Sequence, residues 1–202
     1  MTLYDLLFLA SVLLVVAMAL RIAVSAIRGR WTAVSRSSRF LGLFLGLYAA
    51  ILMGTAVVRP RRFYAPGERR CFDDWCATAL ETTPSAAQPC GPAEGGRDWI
   101  AVVEVSSTAR RIRQRAPDAH AELEDEHGKR YQPCAAPPKS LSDELGPGES
   151  FRVSLPFHLP RGAMPAGLVL HHGDFPGIVI VGADQSLLHP PALQRLAVDR
   201  QP

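Results

Sequence analysis

The chain has 202 residues, of which 48% are hydrophobic and 7% aromatic, and this composition excludes a disordered polymer. Residues 1–58 carry five arginines and one aspartate, whereas residues 59–202 carry 17 basic and 18 acidic side chains. The larger part is therefore nearly neutral, which argues against a nucleic-acid-binding domain. Its many prolines and glycines, 17 and 16 in the whole chain, disfavour a helical soluble part.

Residues 1–58 contain two apolar runs that predict a two-helix transmembrane hairpin, with helices at about 5–27 and 40–58. About 20 apolar residues in a helix cross the hydrocarbon core of a bilayer. Arg21 interrupts the first run near its end, from where its long side chain can reach the interface. A cleaved signal peptide is the alternative for this run, but Asp5 stands where such peptides carry basic residues.

Small residues recur at every fourth position of the second predicted helix, at Gly42, Gly46, Ala50 and Gly54. Positions four apart lie on one face of a helix, and small residues there let another helix approach closely. The partner helix could be the first helix, a second copy or another protein. We expect packing within the hairpin.

The connection between the two helices indicates how they are oriented. Residues 28–39 carry four arginines and no acidic residue, and short basic loops stay in the cytoplasm. Both termini and the following domain would then lie outside. The opposite end of the second helix is also basic, so the charge rule alone decides little; its arginines, expected to meet the bilayer, are Arg59, Arg61, Arg62, Arg69 and Arg70.

The cysteines favour the same orientation. All four follow residue 58, and an even number in the soluble part suits an oxidising compartment and two disulfides. A turn at Asp73-Asp74 would bring two of them together. The favoured pairing joins Cys71 to Cys76 and Cys90 to Cys134. Other pairings, free thiols and a four-cysteine zinc site are the alternatives, although the spacing does not suit zinc.

The remaining chain predicts a basic stalk at 59–70, a β-sandwich at 71–197 and a tail at 198–202. Alternating apolar residues typical of half-buried strands recur between Gly/Pro-rich turns, which predicts about seven short strands. No long helical period follows residue 58, and 187–197 could form one short turn or helix at most. The expected strands lie near 75–79, 98–107, 121–124 with 130–132, 151–157, 168–170 and 178–181.

Four segments together resemble a known family: FDDWC at 72–76, LEDEHGKRYQP at 123–133, LGPGESFRVSLPFHLP at 145–160 and GLVLHHGDFPG at 167–177. They are similar to the immunoglobulin-like, telokin-like extracytoplasmic domains of bacteria, many of unknown function. FDDWC resembles a subset in which a membrane anchor precedes the domain. The resemblance covers roughly 65–196. It implies a mostly β, immunoglobulin-like sandwich on the outer face of a bacterial inner membrane, and no reaction.

Metal-type ligands are concentrated at His171, His172 and Asp174, with His158 and His189 elsewhere in the chain. Successive residues of a strand point to opposite faces, and the Gly-Asp-Phe-Pro-Gly run favours a solvent-exposed turn over a metal site. No zinc-protease, serine-hydrolase or phosphate-loop motif is present in the sequence. We therefore expect neither an enzyme nor a bound cofactor.

One further basic run, which we expect to be a solvated rim or a surface for a partner, comprises Arg110, Arg111, Arg113 and Arg115. The favoured function is a membrane-anchored, extracytoplasmic β-sandwich module that binds or scaffolds an envelope protein without catalysis. Exposed sheet edges or turn loops would form the contact surface. Association with further copies of the chain, as a homo-oligomer, is a second kind of partner that the sequence allows. The alternative is a metal or small-ligand sensor that uses the loop from His171 to Asp174.

Overall fold

The computed structural model describes residues 3–87, 90, 95–173, 179–181 and 188–198. The chain divides into two compact units. The first comprises Met1–Pro60 and Phe175–Pro190, and the second comprises Arg61–Asp174 and Pro191–Pro202.

The first unit is built on two helices, α1 (Leu3–Ile27) and α2 (Trp31–Val58). Both are long and apolar enough to cross a membrane. Gly29, with a φ of +65°, permits the tight connection between them. The helix α2 begins nine residues earlier than predicted, because residues 31–39 contain neither proline nor glycine and their serines and arginines continue the helix. The expected basic loop is therefore largely helical.

The stripe of small residues on α2 does not face α1. Gly42, Gly46, Ala50 and Gly54 are all exposed, and a Cβ built on any of the three glycines would meet nothing within 4 Å. The prediction that this stripe packs within the hairpin is therefore wrong. The face of α2 that lies toward α1 carries bulkier side chains instead. Phe44, Leu45 and Tyr48 line the apolar cleft between the two helices.

The second unit is a β-sandwich, and its described residues form ten strands. They are β1 (Phe63–Tyr64), β2 (Arg70–Phe72), β3 (Trp75–Pro84), β4 (Gly96–Ser107), β5 (His120–Asp125), β6 (Arg130–Tyr131), β7 (Ser150–Pro160), β8 (Pro165–His171), β9 (Leu193–Arg195) and β10 (Ala197–Val198). One sheet has the order β1-β9-β8-β5-β6 and the other the order β10-β3-β4-β7, with β2 also paired to β3. A mostly β sandwich thus follows two apolar helices, as predicted.

The sandwich core consists of the apolar residues that alternate along the strands. Trp75, Ala77 and Ala79 of β3 are buried, as the sequence pattern predicted. The facing positions of β4, β5, β7 and β8 complete the core, with Trp99, Ala101, Val103, Val105, Ala121, Leu123, Val153, Leu155, Phe157, Leu159, Leu168 and Leu170. Burial of these side chains is the main stabilising contribution to the sandwich.

The ends of the domain differ from the predicted boundaries. The segment 59–70 is not a separate stalk, because β1 pairs in parallel with β9 and β2 begins at Arg70. The described residues Val179–Val181 form no strand, so the strand expected at 178–181 is wrong there. The strand β9 instead lies where we expected a turn or short helix, and β10 reaches the first residue of the expected tail.

Gln194 of β9 links the two sheets. Its side chain is buried, its Oε1 accepts the Ala79 N–H at 2.8 Å, and its Nε2 donates to the Ala77 carbonyl at 3.1 Å. Both of these residues belong to β3, where β2 pairs as far as Ala77 and β10 begins only at Glu81. The amide therefore fills the gap between two short strands along one edge of β3.

The hairpin β5–β6 is held by a buried aspartate. One Asp125 carboxylate oxygen accepts the backbone N–H groups of His127 and Lys129, each at 2.9 Å, and the other accepts the Tyr131 hydroxyl at 2.9 Å. Gly128 supplies the left-handed turn with a φ of +79°. Burial would raise the pKa of Asp125, but these hydrogen bonds outweigh it and hold the pKa below its usual value. Asp125, Gly128 and Tyr131 of the segment LEDEHGKRYQP thus stabilise this hairpin.

Candidate functional site

The strand β7 is the long edge strand of the sandwich. It spans 11 residues and pairs with β4 on one side, whereas the strands that end the facing sheet, β1 and β6, have two residues each. An edge strand presents a row of unpaired backbone N–H and C=O groups to its surroundings. The accessible backbone of this sheet is therefore concentrated on β7.

Pro156 shows which residues of β7 point away from β4. It lies opposite Ile100 and has no N–H, so it occupies a position whose backbone groups face outward. Its carbonyl accepts the Cys134 N–H at 2.9 Å, which confirms that direction. Because direction alternates along a strand, the N–H and C=O groups of Arg152 and Ser154 also point outward.

One half of this edge is protected. Pro156 and Pro160 offer no N–H, and Cys134 covers the Pro156 carbonyl. Prolines, protecting loops and short strands are the usual means by which proteins block edge-to-edge pairing. The disulfide between Cys90 and Cys134 holds this cover in place.

The other half of the edge is open. Among the described residues, no backbone group bonds the outward N–H or C=O of Arg152 or Ser154. The nearby loop contains Pro133, Pro137 and Pro138, which have no N–H to donate. Both edge residues are exposed, and Arg152 makes a surface ion pair, with its Nε 3.4 Å from Glu104. This open half is the candidate binding site, which we call the β7 edge.

The sequence contains a local signal for this site. A proline inside an alternating strand indicates an edge strand, because a central strand needs its N–H groups on both sides. Pro156 lies in the middle of the clearest predicted strand, at 151–157. Which side of β7 is open, however, depends on the strand order of the sheet, and no local pattern encodes that order.

The disulfides form in the favoured pairing. Cys71 pairs with Cys76 across the β2–β3 hairpin, and Cys90 pairs with Cys134. The expected turn at Asp73-Asp74 joins the two strands, with Asp73 at a φ of +55°. These aspartates serve the turn, since the Thr108 N–H donates to the Asp74 carbonyl at 2.8 Å.

Two of the arginines expected to meet the bilayer serve the sandwich instead. The Arg61 guanidinium forms a two-pronged ion pair with the Glu124 carboxylate, with one Nη2–Oε2 distance of 2.7 Å. Arg130 Nε lies 3.2 Å from the same carboxylate. Burial would raise the pKa of Glu124, but the hydrogen bonds and charges of Arg61 and Arg130 outweigh it, and the pKa lies below its usual value.

Arg70 is the second arginine that the prediction misplaced. Its side chain is 4% exposed, its Nη1 donates to the Leu170 carbonyl at 3.1 Å, and its guanidinium lies 4.4 Å from the centre of the Phe72 ring. Such stacking suits arginine because its planar cation sheds water readily. Arg59 is half-buried and Arg62 and Arg69 are exposed, so contact of these three arginines with the bilayer stays a prediction.

The histidines do not converge on one site. His171 ends β8 and stacks on His120 of β5 with ring centres 4.4 Å apart, whereas His172 stacks on Phe72 at 5.4 Å. His158 bonds Asp98 at 2.6 Å. His171 therefore lies in a strand and not in the expected exposed turn, while Asp174 lies outside the described residues.

No group of three potential metal ligands occurs in the described part of the chain. The pair His171 and His172 splits between two different neighbours, as successive strand residues do. Among the residues that the structure describes, the metal-sensor hypothesis therefore has no ligand set.

The basic run lies in the exposed loop between β4 and β5. Arg110, Arg111, Arg113 and Arg115 are all exposed, and Arg113 Nη1 lies 3.6 Å from Glu144. The nearby acidic hairpin uses Glu124 to bind Arg61 and Arg130. The exposed ion pair between Arg113 and Glu144 stabilises the protein little. The arginine run therefore stays a predicted partner surface, with a solvated rim as the alternative.

Comparison with known proteins finds solved structures of similar fold, and none of their descriptions names an activity. No family model matches the chain, and neither does any curated protein sequence. A crystal structure of the secreted protein MPT63 from Mycobacterium tuberculosis is similar at 13% identity, covering 56% of this chain and 92% of that one with a TM-score of 0.42.

Two further solved structures are also similar. A conserved hypothetical protein from Bacillus anthracis has 14% identity over 54% of this chain and 88% of its own, with a TM-score of 0.37. An uncharacterised β-sandwich protein from Clostridium difficile has 12% identity over 56% and 89%, with a TM-score of 0.38. The assignment of the β-sandwich itself rests on the strand pairing described above.

Proposed function

We propose that this protein is a membrane-anchored, extracytoplasmic binding module that takes up an extended segment of an envelope protein as an added strand. The observation that carries the proposal is the open β7 edge, where the outward backbone groups of Arg152 and Ser154 have no backbone partner in the described chain. Strand addition satisfies such groups by main-chain hydrogen bonds, and side chains of the bound segment set the specificity. No chemical step is involved.

Four features support the membrane and compartment parts of the proposal. Two helices are long and apolar enough to span a bilayer, and the arginines of residues 28–39 favour the cytoplasm for their connection. Two disulfides suit an oxidising compartment for the sandwich. The resemblance to telokin-like bacterial domains points to the outer face of an inner membrane.

The energetics require more than the backbone. Arg152 and Ser154 offer two N–H and two C=O groups, hence up to four hydrogen bonds at about 0.5–1.5 kcal/mol each, or about 2–6 kcal/mol together. Association itself costs about 4–15 kcal/mol. Side-chain contacts must therefore supply much of the affinity, and Arg152, whose side chain is 68% exposed, is placed to contact a partner.

A proline substitution tests the proposal sharply. Ser154→Pro removes an outward N–H and puts a ring in the path of an added strand, while it keeps the ladder to β4. Ser154→Ala is the matched control because it removes only the hydroxyl. A photo-crosslinking amino acid in place of Ser150, an exposed residue of β7 beside this edge, keeps Arg152 in place and reports on the bound partner in intact cells.

We expect an adduct in the parent and in the Ser154→Ala background, and its loss with Ser154→Pro. Thermal unfolding of both variants should stay close to that of the parent, which shows that the sandwich is intact. An adduct that persists with Ser154→Pro would contradict strand addition at the β7 edge, as would the absence of any adduct from position 150.

A further inference from the structure

A segment that lies between β8 and β9 in sequence contacts α2 at two of its described residues, Val179 and His189. The Tyr48 hydroxyl of α2 donates to the Val179 carbonyl at 2.6 Å, and His189 Nδ1 lies 3.2 Å from the Ala56 carbonyl. In sequence this segment connects β8 to β9 of the sandwich. Nevertheless, its described residues, 179–181 and 188–190, group with the helices and not with the strands.

The two contacts lie at different levels of the apolar part of α2. Tyr48 and Ala56 are eight residues apart, which corresponds to about 12 Å along a helix axis at 1.5 Å per residue. The uncharged run 40–58 spans roughly 28 Å by the same rise, close to the thickness of the hydrocarbon core. Tyr48 lies near the middle of that run, so Val179 meets α2 well inside the apolar zone.

The sequence of the segment suits such a place. Residues 175–183, FPGIVIVGA, contain no charged side chain. Non-helical backbone is tolerated at membrane depth only where protein groups satisfy its hydrogen bonds. Tyr48 does so for the Val179 carbonyl, and that contact equally satisfies a hydroxyl that would otherwise face lipid.

We infer that the segment around Val179–Val181 is a re-entrant membrane segment that enters the bilayer beside α2 and is held there by Tyr48. The inference rests on the membrane anchoring in the proposed function, and it adds acyl chains as the surroundings of this segment. Because its neighbours in the chain, β8 and β9, both belong to the sandwich, the segment enters and leaves on the same side of the membrane.

A fluorescent depth measurement tests the inference on the full chain. Ile180→Cys is labelled with an environment-sensitive dye, without reductant, so that the native disulfides stay closed. The protein is reconstituted in phosphatidylcholine–phosphatidylglycerol vesicles whose lipids carry a nitroxide quencher either near the glycerol backbone or near the middle of the acyl chain. Leu47→Cys on the exposed face of α2 and Asp118→Cys in a sandwich turn are the two reference positions.

We expect the dye at residue 180 to show blue-shifted emission and to be quenched mainly by the mid-chain nitroxide, as at residue 47, whereas the dye at residue 118 is not quenched. Adding Tyr48→Phe removes the hydrogen bond to Val179 and should shift the strongest quenching at residue 180 toward the shallow nitroxide, with residue 47 unchanged.

The reference positions separate two kinds of failure. Quenching at residue 47 without quenching at residue 180 would overturn the re-entrant segment and leave the membrane anchor intact. A dye at residue 47 that neither nitroxide quenches would overturn the anchor, and with it both the proposed function and this inference. Deep quenching at residue 180 that Tyr48→Phe leaves unchanged would refute the role given to Tyr48.

Discussion

Gln194→Met should weaken the sandwich without emptying its core. Methionine has nearly the volume of glutamine and is flexible enough to fill the same space, so the substitution leaves no large cavity. It does remove both hydrogen bonds from the side chain to β3. The Ala79 N–H and the Ala77 carbonyl would then lose the partner that Gln194 provides.

The expected loss follows from the burial of these groups. Gln194 is 1% exposed, so water has little access to either backbone group. A buried donor or acceptor left without a partner costs about 1–3 kcal/mol, which gives about 2–6 kcal/mol for the pair. Small backbone shifts favour the lower half of this range. We therefore expect a loss of about 3 kcal/mol, a factor of roughly 100 or more in the folding equilibrium.

Urea unfolding of the full chain in detergent measures this loss. The fluorescence of Trp75 and Trp99, both buried in the sandwich, reports its unfolding. With a slope of about 2 kcal/mol per molar urea, the midpoint should fall by about 1.5 M. Gln132→Met is the matched control: its amide donates to Glu122 at an exposed position, where such a bond contributes little, so the midpoint should fall by about 0.25 M at most. A fall of less than about 0.25 M for Gln194→Met would refute the reasoning, because the backbone groups would then have found other partners.

Two further predictions concern acid and the disulfides. The pKa of Glu124 is lower in the folded state than in the unfolded state, so the stability that Glu124 contributes is complete above the unfolded pKa near 4.3 and is lost as the pH falls further. Urea midpoints measured at pH values above and below 4 should therefore show a drop that is smaller in Glu124→Gln than in the parent. An equal drop would contradict this. Opening Cys90–Cys134, which closes 44 residues, should cost about 4 kcal/mol against about 2 for Cys71–Cys76, which closes five, if chain entropy dominates. Urea midpoints of the paired serine variants test the order, which the reverse ranking would refute.

The parts of the fold that sequence could predict are those with a strong local pattern. Long apolar runs predicted both helices, and period-two alternation predicted β3, β4, β5, β7 and β8. The turn at Asp73-Asp74 was predictable because two good turn residues stand between paired cysteines. In each case the signal lies within about ten to twenty neighbouring residues.

The short strands could not be predicted because tertiary pairing creates them. The three residues of β9 and the two of β1 carry no period; β9 becomes a strand by pairing with β8 and β1, and β1 by pairing with β9. The opposite error occurred at Val179–Val181, a β-branched run typical of a buried strand. There the chain groups with the helices, whose apolar surface competes with the sandwich core for such residues.

Charged residues gave the least reliable predictions of position. A run of arginines after an apolar helix is typical of contact with lipid head groups. In this protein Arg61 and Arg70 are used within the sandwich, and the residues that bind them, Glu124 and Leu170, are distant in sequence. Pairing of this kind depends on the fold, so sequence indicates the charge and not its partner.

The crosslinking experiment also distinguishes an envelope partner from a second copy of this chain at the β7 edge. Two copies could pair edge to edge about Val153, which would place Arg152 of one copy opposite Ser154 of the other and bring no like charges together. An envelope partner and a second copy would both be blocked by Ser154→Pro. They differ in the mass of the adduct, since an adduct of twice the 21.9 kDa chain would assign the edge to self-association. Any other adduct mass that Ser154→Pro abolishes would support the partner that we propose.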